Sequence, residues 1–344
     1  MLRRLTKVKF IKYISVFSTM GSCKLLPCLL TLLTLAALLA FAQVVEYDGV
    51  EVFFSTKGVV NIRHEGFTKT MGIFKTWGPN WQWIGACSWQ DDWISLKADM
   101  GDVEASFEGA FQCDFAKVSW KEGAWLGLDS FLIELNLTAD EDSNFAGLAW
   151  DFDLPVPLFA GKRVQLLLSD GTEVSVKLRE EHIPGTWVID GSSHPNGVGW
   201  VIPYDGDKGL VVAAFGDTWP NGMSVHAEDN RQWGGNTYSL RSWLFFDLHM
   251  PKGVMIRLLI YVHPYSSQDE MEIGLSRIRE VVRMLQEGES SDAIKSFLIS
   301  AMNLEEAAAA RKARGPPLML IVYAAIAVVA VAVIAFALLR RRRA

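Results

Sequence analysis

An unbroken apolar segment near the C-terminus, Leu318 to Leu339 (LMLIVYAAIAVVAVAVIAFALL), divides this chain by solvent before any domain is considered. At about 1.5 Å per residue a helix of that length measures roughly 33 Å, enough to cross a hydrocarbon core of about 30 Å. Lipid offers no partner to backbone amides, so the segment is expected to be a transmembrane helix. Gly315-Pro316-Pro317 interrupts any helix before it, and Arg340 to Arg343 follow at once. The positive-inside rule then makes residues 340–344 a basic cytoplasmic tail.

The N-terminus carries the complementary signal. A basic stretch precedes Leu25 to Ala42 (LLPCLLTLLTLAALLAFA), which ends in the small-x-small pattern Ala40-Phe41-Ala42 before Gln43. Residues 1–42 are therefore expected to be a secretory signal peptide cleaved after Ala42, with residues 1–19 an overextended start ahead of Met20. An uncleaved signal anchor is the competing reading. Both put the middle of the chain outside, as a single-pass plasma-membrane protein with an extracellular N-terminal domain when the signal is cleaved.

Charge agrees with that partition. All 39 acidic residues lie between the two apolar ends, while ten of the 33 basic residues lie outside it. The middle thus carries 23 basic against 39 acidic residues, a net charge of −16. So acidic a body repels phosphate backbones, which excludes nucleic acid as an expected partner. Cleavage would remove Cys23 and Cys28 and leave Cys87 and Cys113, an even pair that suggests one extracellular disulfide. Closing that loop would contribute roughly 3–4 kcal/mol in the chain-entropy model. Two buried free thiols are the alternative.

From Val44 to about Tyr265 the pattern alternates or runs apolar for four to eight residues between clusters of Gly, Asp, Asn and Pro, as many short strands would. Val50–Ser55, Gly58–Arg63, Val103–Phe107, Phe131–Leu137, Val164–Leu168, Glu173–Leu178, Trp187–Asp190, Gly199–Pro203, Gly209–Phe215, Ser239–Leu248 and Val254–Val262 read as strands. Without intervening helices they predict a mainly β fold over residues 43–266: a large antiparallel β-sandwich, supersandwich-like or as two stacked sandwiches. If there are two, the seam falls near Leu154-Pro155-Val156-Pro157, where prolines deny the ladder its donors. This layout is similar to that of large sugar-active sandwich domains, although no residue motif carries the likeness.

After Tyr265 the period changes. Ser267-Gln268-Asp269-Glu270 forms a capping box, and Met271, Leu275, Ile278, Val282 and Leu285 make an apolar stripe that ends at Glu287-Gly288. A second helix is expected from Ser291 through Arg314, alanine-rich and charged at its end. Residues 267–314 read as a helical membrane-proximal stalk; for the first helix, packing against the sandwich is an equal alternative.

Thirteen tryptophans are the compositional oddity, and Trp77, Trp81, Trp83, Trp89 and Trp93 fall in one stretch. Indole faces stack on sugar rings, so these five, with Trp219 and Trp233, are candidate glycan contacts, Trp81 and Trp83 sharing one strand face. Filling a thick core is the competing use of such bulk. His226, Glu228 and Asp229 stand in a polar segment read as a loop, and with His182 and His194 they are the candidate acid and base groups for proton transfer on a sugar. Asp140, Asp142, Asn144 and Asp151 imitate a calcium loop, but Phe145 stands at the turn glycine position, so a solvated hairpin is the better reading. Asn136-Leu137-Thr138 is a glycosylation sequon within a strand.

HExxH, CxxC, P-loop, GxGxxG and GxSxG motifs are missing, and the six histidines lack ligand spacing, so neither cofactor nor metal is expected. The sequence thus predicts a membrane-anchored surface protein whose sandwich binds glycan, cell-wall material or a cell-surface protein. The alternative is a tethered carbohydrate-active enzyme, a hydrolase, lyase or epimerase; a third is an accessory subunit of a membrane complex.

Overall fold

Side chains that alternate between two apolar surfaces sort the strands into two antiparallel sheets, and the second surface of one sheet is what recruits the helices. The structure is a computed structural model and describes residues 43–314 apart from 48–49, 55–59, 65–69, 87–93, 102, 114, 186, 195 and 218–223. The expected signal peptide, transmembrane span and basic tail lie outside the described residues, as do Cys87, Trp89, Trp93 and Trp219. Among the described residues no helix is long and apolar enough to cross a membrane.

The first sheet holds β1 (Gln43–Tyr47), β2 (Val50–Phe54), β3 (Val60–His64), β4 (Thr70–Gly78), β5 (Gln82–Ala86), β10 (Ser143–Pro155), β15 (Ser224–Asp229) and β16 (Thr237–Met250). Its order is β1-β2-β3-β4-β10-β16-β15, with β5 also on β4. The second holds β6 (Ile94–Met100), β7 (Glu104–Cys113), β8 (Ala116–Leu126), β9 (Phe131–Ala139), β11 (Arg163–Leu168), β12 (Glu173–Lys177), β13 (Gly197–Asp205), β14 (Lys208–Gly216) and β17 (Met255–Tyr265), in the order β12-β11-β13-β14-β17-β9-β8-β7-β6. Trp120, Phe131, Trp200, Leu258 and Ile260 of the second sheet meet Trp150, Phe152, Tyr238 and Leu240 of the first in the core between them.

Several strands of the second sheet are apolar on both faces. In β14, Leu210, Val212 and Ala214 face the first sheet while Val211, Ala213 and Phe215 face away; β17 repeats this with Leu258 and Ile260 against Leu259 and Tyr261. A half-covered sheet would expose that outer surface, so it must be buried. The stretch expected as a stalk supplies the cover: α2 (Gln268–Gln286) lays Leu275, Ile278, Val281 and Val282 on it, and α3 (Ser291–Ala301) adds Ile294 and Leu298. The described helices are therefore packed on the sandwich, because their apolar stripe has a surface of matching chemistry within reach. Arg277 of α2 fixes them with a two-pronged bond to Asp129 (2.8 and 2.9 Å) and a third to Ala301 O. Arg311, in α4 (Leu304–Arg314), donates to Leu126 O and Gly127 O.

The helix boundaries follow their signals. Ser267 Oγ accepts from Glu270 N (3.2 Å), and the Glu270 carboxylate reaches back to Ser266 N, one residue short of the ideal capping box. At the other end Gly288 adopts φ 82°, and the amides of Gly288 and Glu289 donate to Leu285 O and Met284 O, the Schellman closure. The expected single helix over Ser291–Arg314 is two, broken at Met302 and Asn303, where Asn303 takes φ 56° and Met302 O accepts from Leu128 N.

Other expectations need correction. Leu154–Pro157 is no domain seam: β10 runs to Pro155, the one-turn helix α1 (Val156–Phe159) follows, and Val156 and Phe159 enter the same core. Trp187–Asp190 forms only an isolated bridge, Ile189 to Ala227. The turn after Asp140 is not the expected hairpin: it carries the chain from β9 in the second sheet to β10 in the first, with Asp142 accepting from Lys252 N, and Asp151 lies within β10. In β8 the inward series Ala116, Val118, Trp120, Glu122, Ala124, Leu126 places a carboxyl in the core, which hid the strand from an apolar alternation count.

Glu122 is buried, and its Oε1 has no hydrogen-bond partner among the described residues. Burial pushes its carboxyl well above the usual carboxylate range, so the folded chain keeps this proton where the unfolded chain has lost it. Stability attributable to this site is full below the ordinary Glu value and declines as pH rises above it. Glu122→Met is expected to stabilise the fold by about 1–3 kcal/mol near neutrality and by less in acid. Urea unfolding at the two pH values checks this; an equal or negative effect at both would contradict it.

Candidate functional site

The outer face of the first sheet has the opposite chemistry from that of the second. Register places Asp151 of β10 beside Arg241 of β16, and Arg241 beside His226 of β15; one step along, Asp153, Ser239 and Glu228 form the next row. Residues between them, Trp150, Phe152, Tyr238, Leu240 and Ala227, point into the core, so strand periodicity alone gathers the polar set on one side. On the other flank β4, paired with β10, contributes Lys75 and Trp77.

These groups form one ion-pair network. Arg241 donates from Nε and Nη2 to the two oxygens of Asp151, each at 2.8 Å, and from Nη1 to Glu228 Oε2 at 2.7 Å. Lys75 Nζ lies 2.8 Å from Asp151 Oδ2 and 3.0 Å from Asp153 Oδ2. Burial opposes ionisation of Asp151, but Arg241 and Lys75 outweigh it and hold this carboxyl well below the usual range. Asp153 goes the other way: burial raises it, Lys75 opposes, and adjacent Asp151 adds to the rise. Ser239 donates to Asp153 and accepts from Asn230 Nδ2 (2.7 Å).

Aromatic rings cover and flank this floor. The Arg241 guanidinium lies 4.7 Å from the Trp77 ring centre and 5.1 Å from that of Trp243. Trp81 meets Trp243 edge-on at 5.6 Å and is 50% exposed. It belongs to the 3-10 turn Pro79–Trp81 and not to a strand, so the expected shared face with Trp83 does not arise; Trp83 follows in β5, opposite Trp77. Asn80 and Trp81 both take φ 60°, a left-handed conformation that is costly for a bulky residue and marks the turn as a built feature. Trp233 is 76% exposed, yet its indole N–H donates to Glu228 Oε1 at 2.7 Å, as does Gln232 Nε2. His226 packs against Trp187 (5.0 Å) and Trp243 (6.1 Å), and its Nδ1 accepts from Gly191 N at 3.3 Å. Burial, with Arg241 adding to it, pushes the imidazole down to about 4 against the pull of Asp190 and Asp151.

The polar segment read as a loop is thus strand β15 plus the 3-10 turn Asn230–Trp233, and the strand divides the candidate acid and base groups. His226 and Glu228 share the outer face. Asp229 does not: it caps the turn through Arg231 N (3.1 Å), pairs with the Arg231 side chain and lies 3.4 Å from His182 Nδ1. Arg231 in turn donates to Arg179 O and Glu180 O, so Asp229 and His182 staple a loop. His194 follows the turn Gly191–Ser193, its amide donating to Gly191 O. Asn136 lies in β9, its Oδ1 accepting from Arg257 Nε at 3.2 Å. Cys113 ends β7, and its expected partner lies outside the described residues.

Lys75, Asp151, Asp153, Trp187, Ser239, Arg241 and Trp243 were missed as site residues. A signal existed for some of them: Asp151-Phe152-Asp153 puts two carboxylates on one face of an otherwise apolar run, and Arg241 and Trp243 alternate with Leu240 and Ser242. Chemically, the Asp151 and Glu228 carboxylates each have both oxygens bonded, and His226 is neutral near pH 7. The arrangement provides a fixed polar floor and flat apolar faces; it holds its carboxylates in ion pairs.

No protein-family model matches the chain, and no curated protein matches it. Solved structures with similar folds include a galactose mutarotase-like protein from Lactobacillus casei (9% identity, covering 65% of this chain and 100% of that one, TM-score 0.44). An alpha-N-acetylgalactosaminidase from Bifidobacterium bifidum in complex with GalNAc is 10% identical over 72% of this chain and 39% of that one (TM-score 0.45). A galactose mutarotase related enzyme from Lactobacillus acidophilus is 11% identical over 66% and 98% (TM-score 0.33). At such identities and scores no residue or activity is carried over from them.

Two outcomes follow from the network. Arg241→Leu leaves Asp151 and Glu228 without their shared cation in a buried setting and is expected to destabilise by about 3–5 kcal/mol in denaturant unfolding. A loss under about 1 kcal/mol would mean that the network is dispensable. His226, lowered in the fold from 6.5 to about 4, takes up a proton on unfolding, so its stabilising effect is full above 6.5 and is lost as pH falls toward 4. His226→Gln should flatten the stability profile across that interval, and a titration by NMR should put the native imidazole well below its ordinary value.

Proposed function

We propose that the outer face of the first sheet is a glycan-binding surface on a membrane-tethered extracellular domain. The observation that carries this is one continuous path of contacts from exposed Trp81, through Trp243, Arg241 and Glu228, to exposed Trp233. An exposed indole is ordinarily mobile and costly. Here each is pinned, one by an edge contact and one by a bond to a buried carboxylate, so little entropy is lost when a ring stacks on a sugar. Binding fits the floor better than turnover does, because Glu228, the carboxylate that shares a face with His226, already accepts three bonds. The tether at 318–339, the cleaved signal over residues 1–42 and the Cys87–Cys113 disulfide belong to the same proposal and rest on the sequence.

A glycan array followed by calorimetry tests the surface. Trp81→Ala and Trp233→Ala are each expected to remove about 0.5–1.5 kcal/mol of affinity, roughly two- to twelvefold, with no change in fold by circular dichroism. Wild-type affinity in both variants would sink the proposed face. Sugar turnover that disappears in His226→Gln would replace binding by the carbohydrate-active alternative. Protease shaving of intact cells tests the tether: digestion of the body from outside is expected, and protection of it would refute the topology.

A further inference from the structure

The second sheet ends at β12, which pairs with β11 and, among the described residues, with no strand beyond it. Backbone bonds at the two ends of this pair fix which groups face outward: Leu178 N donates to Lys162 O, and Leu168 N donates to Thr172 O. Antiparallel neighbours exchange bonds at every second residue, and the register between these ends is unbroken. Val174 and Val176 therefore direct their N–H and C=O groups at β11, whereas Glu173, Ser175 and Lys177 direct theirs away from the sheet. The side chains of the same three residues are exposed, while Val174 and Val176 pack against the core. An edge of outward-facing donors and acceptors is a template for another strand, and neither a proline nor a bulge blunts this one.

The edge sequence Glu173-Val174-Ser175-Val176-Lys177 is complementary to itself when reversed. Laid antiparallel on a second copy with a two-fold axis at Ser175, it lets Ser175 exchange both backbone bonds with the partner's Ser175. Glu173 then bonds the partner's Lys177, and Lys177 the partner's Glu173, so the outward groups of all three residues are satisfied. Each Glu–Lys pair lies directly across the new seam on its solvent face, where opposite charges stabilise a pairing. A parallel arrangement about Ser175 would set like charges against each other. The present partners of these charges are loose: Lys177 meets Glu180 at 3.3 Å and Glu173 meets Arg279 at 4.0 Å, all four exposed or half-buried, so both can turn to a second copy. We infer that β12 is a self-association edge, through which two copies of this chain join their second sheets into one continuous antiparallel sheet. The inference is independent of the glycan reading, which concerns the first sheet.

The test is sedimentation equilibrium of the purified full chain in detergent, over a concentration series reaching about 0.1 mM. A monomer–dimer equilibrium is expected. By symmetry Lys177→Glu and Glu173→Lys each convert two attractive pairs into two repulsive ones, and each should weaken the dimer at least about tenfold with an unchanged circular dichroism spectrum. The double reversal Glu173→Lys with Lys177→Glu restores both pairs and should return the affinity to within about threefold of the original. Ser175→Cys, at a spacing of about 5.5 Å between Cα atoms that suits a disulfide, should give on mild oxidation a covalent dimer whose linked peptide joins position 175 to position 175 by mass spectrometry. A monomer throughout the series would overturn the inference. So would a dimer that both single reversals leave intact, which would place the contact on another face, a double reversal as weak as the singles, or a dimer without the cross-link at 175.

Discussion

Asp151 is the hinge of the site's architecture, because a carboxylate without solvent exposure is tolerable only while both its cations are present. Lys75 reaches it from β4 and Arg241 from β16, so three neighbouring strands are tied through one side chain. Removing such charges from water costs several kcal/mol per ion, and the attraction between them offsets that cost only in good geometry. The network is thus a weak source of net stability and a strong source of register. A one-residue slip of β10 would drive Asp151 and Asp153 into the core and turn Trp150 and Phe152 outward. In β10, charge on one face and the aromatic bulk of Trp150 and Phe152 on the other disfavour any slipped pairing.

The two outer faces of the sandwich then have different fates. The second sheet shows apolar residues on both sides, and its outer side is buried under α2 and α3. The first sheet carries ion pairs and aromatic rings outward, a surface compatible with water and unsuited to an apolar helix. Its exposed Trp81 and Trp233 stand over fixed partners. Helices cover the outer face of the second sheet, and the proposed glycan surface lies on the outer face of the first.

Much of the fold was legible. Eleven stretches were expected as strands, and ten of them fall within observed strands to within a few residues, since apolar alternation bounded by Gly and Asp turns is a local property. The misses have physical causes. β10 is buried along nearly its whole length and shows no alternation, β8 hides Glu122 among inward apolar positions, and β15 is polar enough to read as a loop. Of the candidate site, His226, Glu228, Trp77, Trp81 and Trp233 come together, whereas Asp229 and His182 go to a loop staple because successive strand residues face opposite ways. Proximity in sequence had grouped them; pleating separates them.

By itself the sequence determined the strand-rich body, its antiparallel class, the capped helix after Ser267 and the strongly anionic charge of that body, all of which follow from composition and short-range periodicity. Tertiary structure alone decided that the helices lie on a sheet, and that Lys75, Asp151 and Arg241, from strands far apart in the chain, share one buried network. The reason is the range of the forces involved. Backbone propensity and hydrophobic period act over a few residues, but which polar groups can be buried together depends on strand order, and strand order is fixed only when both sheets close on a common core.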